Sequence, residues 1–214
     1  MSFLDQLKIQ ASAVKSHQVQ QQVEHETTTL ATEHACSSVL FYLEQLVQSL
    51  NVIEPDGPKL SLDGKTPWPA MKLTGFKIDS RKKTLRNREV FDYIGVGWQI
   101  VPRAGRAVSG SVSANFLPDL QRLEARLATG WVQHERHEIR HPEKNTLQLV
   151  RLDYTTQSRG NILVTPDHEN AMLAFRLANL TGFGLAHTTW PVAQVYPQLD
   201  ELAKMVCGQP SRFA

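Results

Sequence analysis

Between Val108 and Phe116 the side chains alternate without a break. Val108, Gly110, Val112, Ala114 and Phe116 fall on one side, and Ser109, Ser111, Ser113 and Asn115 on the other. A strand sends successive side chains to opposite faces, so this stretch demands a sheet with one dry and one wet face, the antiparallel condition. The same period of two places Val90, Ile94, Val96, Trp98 and Ile100 on one face of a strand. Further strands read at 70–79, 131–140, 146–157, 160–165, 171–178 and 183–190, with Asn179-Leu180-Thr181-Gly182 as the turn between the last two. Gly95 and Gly97 sit inside a strand, where glycine marks a bulge or a bend, so the sheet is expected to curve.

The first 50 residues follow a different period. Leu4, Leu7, Ala11 and Val14 recur at helical spacing, thinning through Val19 and Val23. A stronger stripe follows in Leu30, Ala31, Ala35, Val39, Leu43, Leu46 and Leu50. One helix over this length would run about 75 Å, so two helices are expected, with a break at Thr27-Thr28-Thr29, where β-branched residues weaken the helix. The alternative is one long helix paired with a second copy. Residues 51–69 carry Pro55, Pro58, Pro67, Pro69, Gly57 and Gly64, which forbid regular structure and could hold the helical stripe away from the sheet. Two short helices interrupt the strands. Pro118 opens the first, with Leu120, Leu123 and Leu127 as its stripe and Gly130 at its end. Pro197 opens the second, with Val195, Leu199, Leu202 and Val206 as its face and Gly208 as its stop.

The expected fold is therefore α+β: a curved, mostly antiparallel sheet of about six to eight strands packed against helices. Residues 1–50 form an N-terminal helical segment, 51–69 a linker and 70–214 the antiparallel domain, or the whole is one domain. Hydrophobic content of 41% excludes a disordered chain, and a net charge of +2 argues neither for a nucleic-acid nor for a membrane partner. Cys36 and Cys207 form neither a disulfide framework nor a metal pattern. No apolar run reaches a membrane span and no leader opens the chain, so a cytoplasmic location is expected.

His137-Glu138-Ile139-Arg140-His141 spells H-E-x-x-H, the zinc-protease motif. Its chemistry needs a helix, which brings histidines four apart together on one zinc while the Glu polarises a water. Pro142 disfavours helix at His141, and no apolar residue falls at helical spacing around it. On a strand the two histidines share a face but stand about 13 Å apart, too far for one metal. His134 falls on the opposite face. A strand is the reading adopted. A metal-dependent hydrolase using His137, Glu138 and His141 is the alternative and requires a helix at 131–141.

Lys77, Arg81, Lys82, Lys83, Arg86 and Arg88 form a basic run, read as an exposed loop between two strands, with Asp79 the only acid among them. Phosphate or nucleic-acid binding through Arg81, Lys82, Lys83, Arg86 and Arg88 is a further alternative, against which stands the shortage of aromatics for base stacking. Trp98, Trp131 and Trp190 are candidates to line a pocket for a small apolar ligand. No cofactor is implied. The reading as a whole is a non-enzymatic ligand- or protein-binding module. It associates with itself as a homo-oligomer, a dimer, through its N-terminal helices, because the stripe from Leu30 to Leu50 needs something to cover it.

Overall fold

A computed structural model describes residues 3–213. The side chains of Leu4 and Ala11, part of the expected first stripe, lie outside the described residues, as do those of Asp5, Gln6, Lys8, Ile9 and Ala13. The fold is α+β, with eight strands and three α-helices among the described residues. Helix α1 runs Phe3–Ile53, followed by strands β1 (Met71–Leu85), β2 (Arg88–Pro102) and β3 (Ser109–Ala114) and helix α2 (Leu117–Gly130). Strands β4 (His134–Arg140), β5 (Leu147–Thr155), β6 (Ser158–Asp167), β7 (Met172–Ala178) and β8 (Leu185–Pro191) follow, and helix α3 (Val195–Val206) closes the order. The strands make two sheets, one ordered β1-β2-β6-β7-β8 and one ordered β3-β5-β4, with every pairing antiparallel. No helix among the described residues is long and apolar enough to cross a membrane.

The break expected at Thr27–Thr29 does not occur: α1 is continuous over 51 residues. The threonines are accommodated by bonding back to their own helix. The Thr27 and Thr29 hydroxyls donate to the carbonyls of Val23 and His25, at 2.8 and 2.7 Å, and Thr32 donates to Thr28 at 2.8 Å. A β-branched side chain costs helix propensity but does not end a helix when its hydroxyl finds the carbonyl one turn back.

The second stripe is not left over for a partner, as the sequence reading supposed. Cys36, Val39, Leu43, Val47 and Leu50 are buried in one core with Leu73, Phe76, Ile94, Val96 and Ile100 of β1 and β2 and with Leu199 and Leu202 of α3. Polar clamps fix the docking. The Phe76 N–H donates to Asn51 Oδ1 at 2.8 Å while Asn51 Nδ2 donates to Phe76 O at 3.0 Å. The Phe91 N–H donates to Glu33 Oε1, and Tyr42 Oη donates to Asp200 on α3.

Nor does the linker hold the helix away. Leu60, Leu62 and Trp68 are buried, the Gly57 N–H donates to Met71 O, and the Leu73 N–H donates to Pro55 O, so the segment covers the free edge of β1. Its turn is organised by Asp63, whose carboxylate accepts from the Lys65 and Thr66 N–H groups at 2.8 and 2.7 Å and from the Ser61 and Thr66 hydroxyls. Burial alone would raise its pKa, but these donors outweigh it and hold the carboxyl at about 2. Because the folded value lies below the unfolded one of about 3.9, the stabilisation is full above about pH 5 and is lost as pH falls from about 4 through 2. Asp63→Ala is expected to cost about 1–2 kcal/mol at neutral pH. Urea midpoints at pH 7, 4 and 2.5 should converge between variant and parent as the acid limb is crossed. Parallel curves would refute the role given to this carboxylate.

Smaller departures follow from turn chemistry. Strand β1 is longer than its apolar pattern and reaches Leu85, closing on β2 through Arg86 and Asn87, both with positive φ (48° and 62°), the geometry of a type I′ hairpin. Helix α3 begins at Val195, two residues before Pro197, which therefore lies within its first turn.

Candidate functional site

The basic run is strand and hairpin rather than loop. Arg81, Lys82 and Lys83 belong to β1, Arg86 to the turn and Arg88 to the start of β2. Several of these charges are engaged. Lys83 pairs with Asp92 at 3.1 Å, Arg86 with Glu169 at 3.0 Å, and Lys82 stands 5.3 Å from the centroid of the Phe91 ring.

The H-E-x-x-H segment is β4, an exposed edge strand of the smaller sheet. The register pairs Glu138 with Val150 and His137 with Arg151, so the two side chains point to opposite faces. Glu138 lies between Arg140 (2.8 Å) and Arg136 (3.0 Å). The hydrogen bond from Arg140 is the first cause that holds its carboxyl below the usual range. His137 Nε2 lies 3.2 Å from Asp153, and His141 Nδ1 faces the Glu143 and Lys144 N–H groups of the following turn. The helix that a zinc hydrolase needs here is not formed, and among the described residues no group of His, Cys, Asp and Glu is arranged to hold a metal ion.

Two of the three tryptophans converge. Trp98 and Trp131 line one cavity of about 710 Å³ on the five-stranded sheet, while Trp190 packs near Phe213, with ring centroids 6.4 Å apart. Trp98 is buried and stacks on Phe76. Trp131 follows the last residue of α2 in a left-handed conformation (φ 52°) and is 70% exposed.

The register explains this cavity. On the face turned away from α1, Lys77 of β1 lies opposite Gly97 of β2, Gly97 opposite Asn161 of β6, Asn161 opposite Ala178 of β7, and Ala178 opposite Leu185 of β8. A neighbouring row carries Asp79, Gly95, Leu163, Arg176 and His187. Small residues at Gly97 and Ala178 leave the sheet low on either side of Asn161, and longer side chains stand around it. Lys77, Arg159 and Arg176 line the cavity, are exposed and have no side-chain partner among the described residues. Among the described residues no carboxylate lines it. Asp79, the acid on the neighbouring row, accepts from the Tyr93 hydroxyl at 2.9 Å and lies three strands from Arg176, about 14 Å across the sheet. The Asn161 side chain contributes a shielded Oδ1 without a hydrogen-bond partner.

The sequence reading did not single out Arg159, Asn161 or Arg176. They are polar-face positions of separate strands, and only the pairing register brings them beside Lys77.

A second feature stands apart from this face. Every described side chain from Phe3 to Glu24 is exposed, Leu7, Val14, Val19 and Val23 among them. About 33 Å of α1 thus buries no described side chain, and its inner end, at Gln18, Gln21 and Gln22, borders a cavity of about 370 Å³ with Leu85, Arg86 and Arg88 of the β1–β2 hairpin. No family model, no curated protein and no solved structure matches the chain.

Proposed function

We propose that this protein is a non-enzymatic binding module that associates with a second copy of itself through the projecting part of α1 and presents the outer face of its five-stranded sheet to a ligand. The observation that carries the self-association is the arm. An isolated helix of this length is marginal in water, and most helical stability in proteins comes from packing an apolar face. Here Leu7 and Val14 share a face and are 46% and 57% exposed.

The chemistry of the arm fits its own sequence run in reverse. Lys15 lies in its first part and Glu24 in its last, so an antiparallel second copy crossing near residue 20 sets Lys15 of one helix beside Glu24 of the other. Glutamines at 18, 20, 21 and 22 occupy the middle, where two such helices would cross. This dimer differs from one built on the Leu30–Leu50 stripe, of which Val39, Leu43 and Leu50 are already buried in the core.

Sedimentation equilibrium of the full chain is expected to give twice the 24.1 kDa chain mass. The Leu7→Asp/Val14→Asp variant, altered only at exposed positions, should sediment as a monomer that still unfolds cooperatively, with a midpoint no longer dependent on protein concentration. A wild-type monomer at every concentration tested, or a dimer indifferent to both substitutions, would overturn the proposal.

A further inference from the structure

The outer-face cavity has a more specific chemistry than a general binding surface. We infer that it is a site for a phosphate ester carrying an aromatic base, with Lys77, Arg159 and Arg176 taking the phosphates and Trp131 stacking on the base. This deepens the binding-module reading but rests on different residues from those of the arm.

Charge is the first reason. Exposed lysines and arginines on a sheet ordinarily find carboxylates or scatter among them. Here three cations from three different strands border one depression, none is paired, and no acid lines it. Their uncompensated field favours an anion. By register, Lys77 and Arg176 are three strands apart, about 14 Å, while Arg159 stands four residues from the partner of Arg176, about 13 Å along the sheet. Backbone separations of this size suit a ligand with several phosphates, or a backbone of them, better than a single inorganic phosphate.

The second reason is the aromatic rim. Trp131 lies 70% exposed on the residue after Gly130, beside Arg159, and also borders the adjoining hollow formed with Gln99, Gln133 and Gln157. A solvent-facing indole next to unpaired guanidinium groups is the arrangement that stacks bases while cations follow the phosphates. The third reason is the floor. With Gly97 and Ala178 on either side of Asn161, a flat ring can approach the sheet closely over either small residue. The cavity volume of about 710 Å³ is in the range of small-molecule sites.

The shared chemistry has two sources, a free nucleotide and a single-stranded nucleic acid, and one experiment separates them. Fluorescence anisotropy of a labelled single-stranded oligonucleotide of about twenty nucleotides is titrated with the full chain, longer than the site size of one small binding face. Competition follows with ATP and with inorganic tripolyphosphate. Binding is expected to weaken with salt at a log–log slope of about −2, the value for three phosphate contacts on a single strand. Arg159→Ala/Arg176→Ala should cut affinity more than tenfold and flatten that slope to about −0.7, and Trp131→Ala should cost about tenfold with the slope unchanged.

ATP bound in a Trp131-dependent way, with no binding of the oligonucleotide, would identify the free nucleotide as the source. Tripolyphosphate competing as well as ATP, with Trp131→Ala neutral, would overturn the assignment, as would absence of binding to all three probes or binding indifferent to the arginine variant. The mass of the chain, measured alongside, reports on the arm separately, so a failed titration leaves self-association standing and a monomer leaves the site standing.

Discussion

Gly160→Val is expected to destabilise the protein by about 3 kcal/mol or more, the largest effect of any single substitution considered. Gly160 on β6 faces Trp98 on β2 across the sheet, and a Cβ there would come within 2.5 Å of three atoms of the indole. The ring cannot give way easily, because it is buried and stacked on Phe76 with centroids 5.5 Å apart. The aromatic fills the place where a side chain on Gly160 would have stood, the same device as Tyr154 over Gly110 in the smaller sheet. Gly160→Ala should already cost about 2 kcal/mol, and adding Trp98→Leu should recover part of the loss. A coupling of that sign in a double-mutant cycle is diagnostic of the clash. Gly184→Ala, where an added Cβ meets nothing within 4 Å, is the control and should stay within about 0.5 kcal/mol. Equal urea midpoints for the Gly160 and Gly184 variants would contradict the packing described.

The second large effect is expected at Leu43→Ala, about 3–4 kcal/mol. Leu43 is completely buried in the core that α1 shares with the sheet and α3. Truncation leaves a cavity that neighbours on three elements cannot all collapse into. For a chain of this size, that loss should lower the thermal midpoint by about 6–16 °C. Phe41→Ala, two residues away on the same helix but 65% exposed, should move it by no more than a degree or two. Similar shifts for the two variants would mean that the helix does not dock on the sheet through this face.

The docking of α1 was half legible in the sequence. The spacing of Val39, Leu43, Leu46 and Leu50 identifies a helix with one apolar face, but the pattern does not say what meets that face. The Pro-rich linker suggested separation, whereas Leu60, Leu62 and Trp68 turn it into part of the core. The continuity of α1 through Thr27–Thr29 was hidden because β-branching counts against a helix in any propensity scale, while the back-bonds to Val23 and His25 exist only once the helix has formed. The strands were more legible, because alternation is read directly from the chain: β4, β5, β7 and β8 fall close to their expected limits. Their division into two sheets was not, since pairing is a long-range property. The extension of β1 to Leu85 was missed because its second half is charged and its turn, Arg86-Asn87, lacks the glycine that ordinarily announces a type I′ hairpin.

The candidate site was the least legible part. The basic run drew attention because its charges are adjacent in sequence, yet Lys83 and Arg86 are paired with Asp92 and Glu169. The unpaired cations that border the cavity are Lys77, Arg159 and Arg176, separated by up to a hundred residues of chain and joined only through the pairings of β1, β2, β6 and β7. Trp131 was named among the aromatics, but its exposure depends on the left-handed turn that ends α2, which a sequence pattern does not reveal.

The central claim, that the projecting part of α1 is covered by a second copy, is tested most directly by amide hydrogen exchange of the full chain at high and low protein concentration. Residues 3–24 are expected to be protected when the protein is concentrated and to lose that protection on dilution, while residues 33–50 remain protected throughout. Exchange of residues 3–24 at the rate of a free helix at every concentration would contradict it.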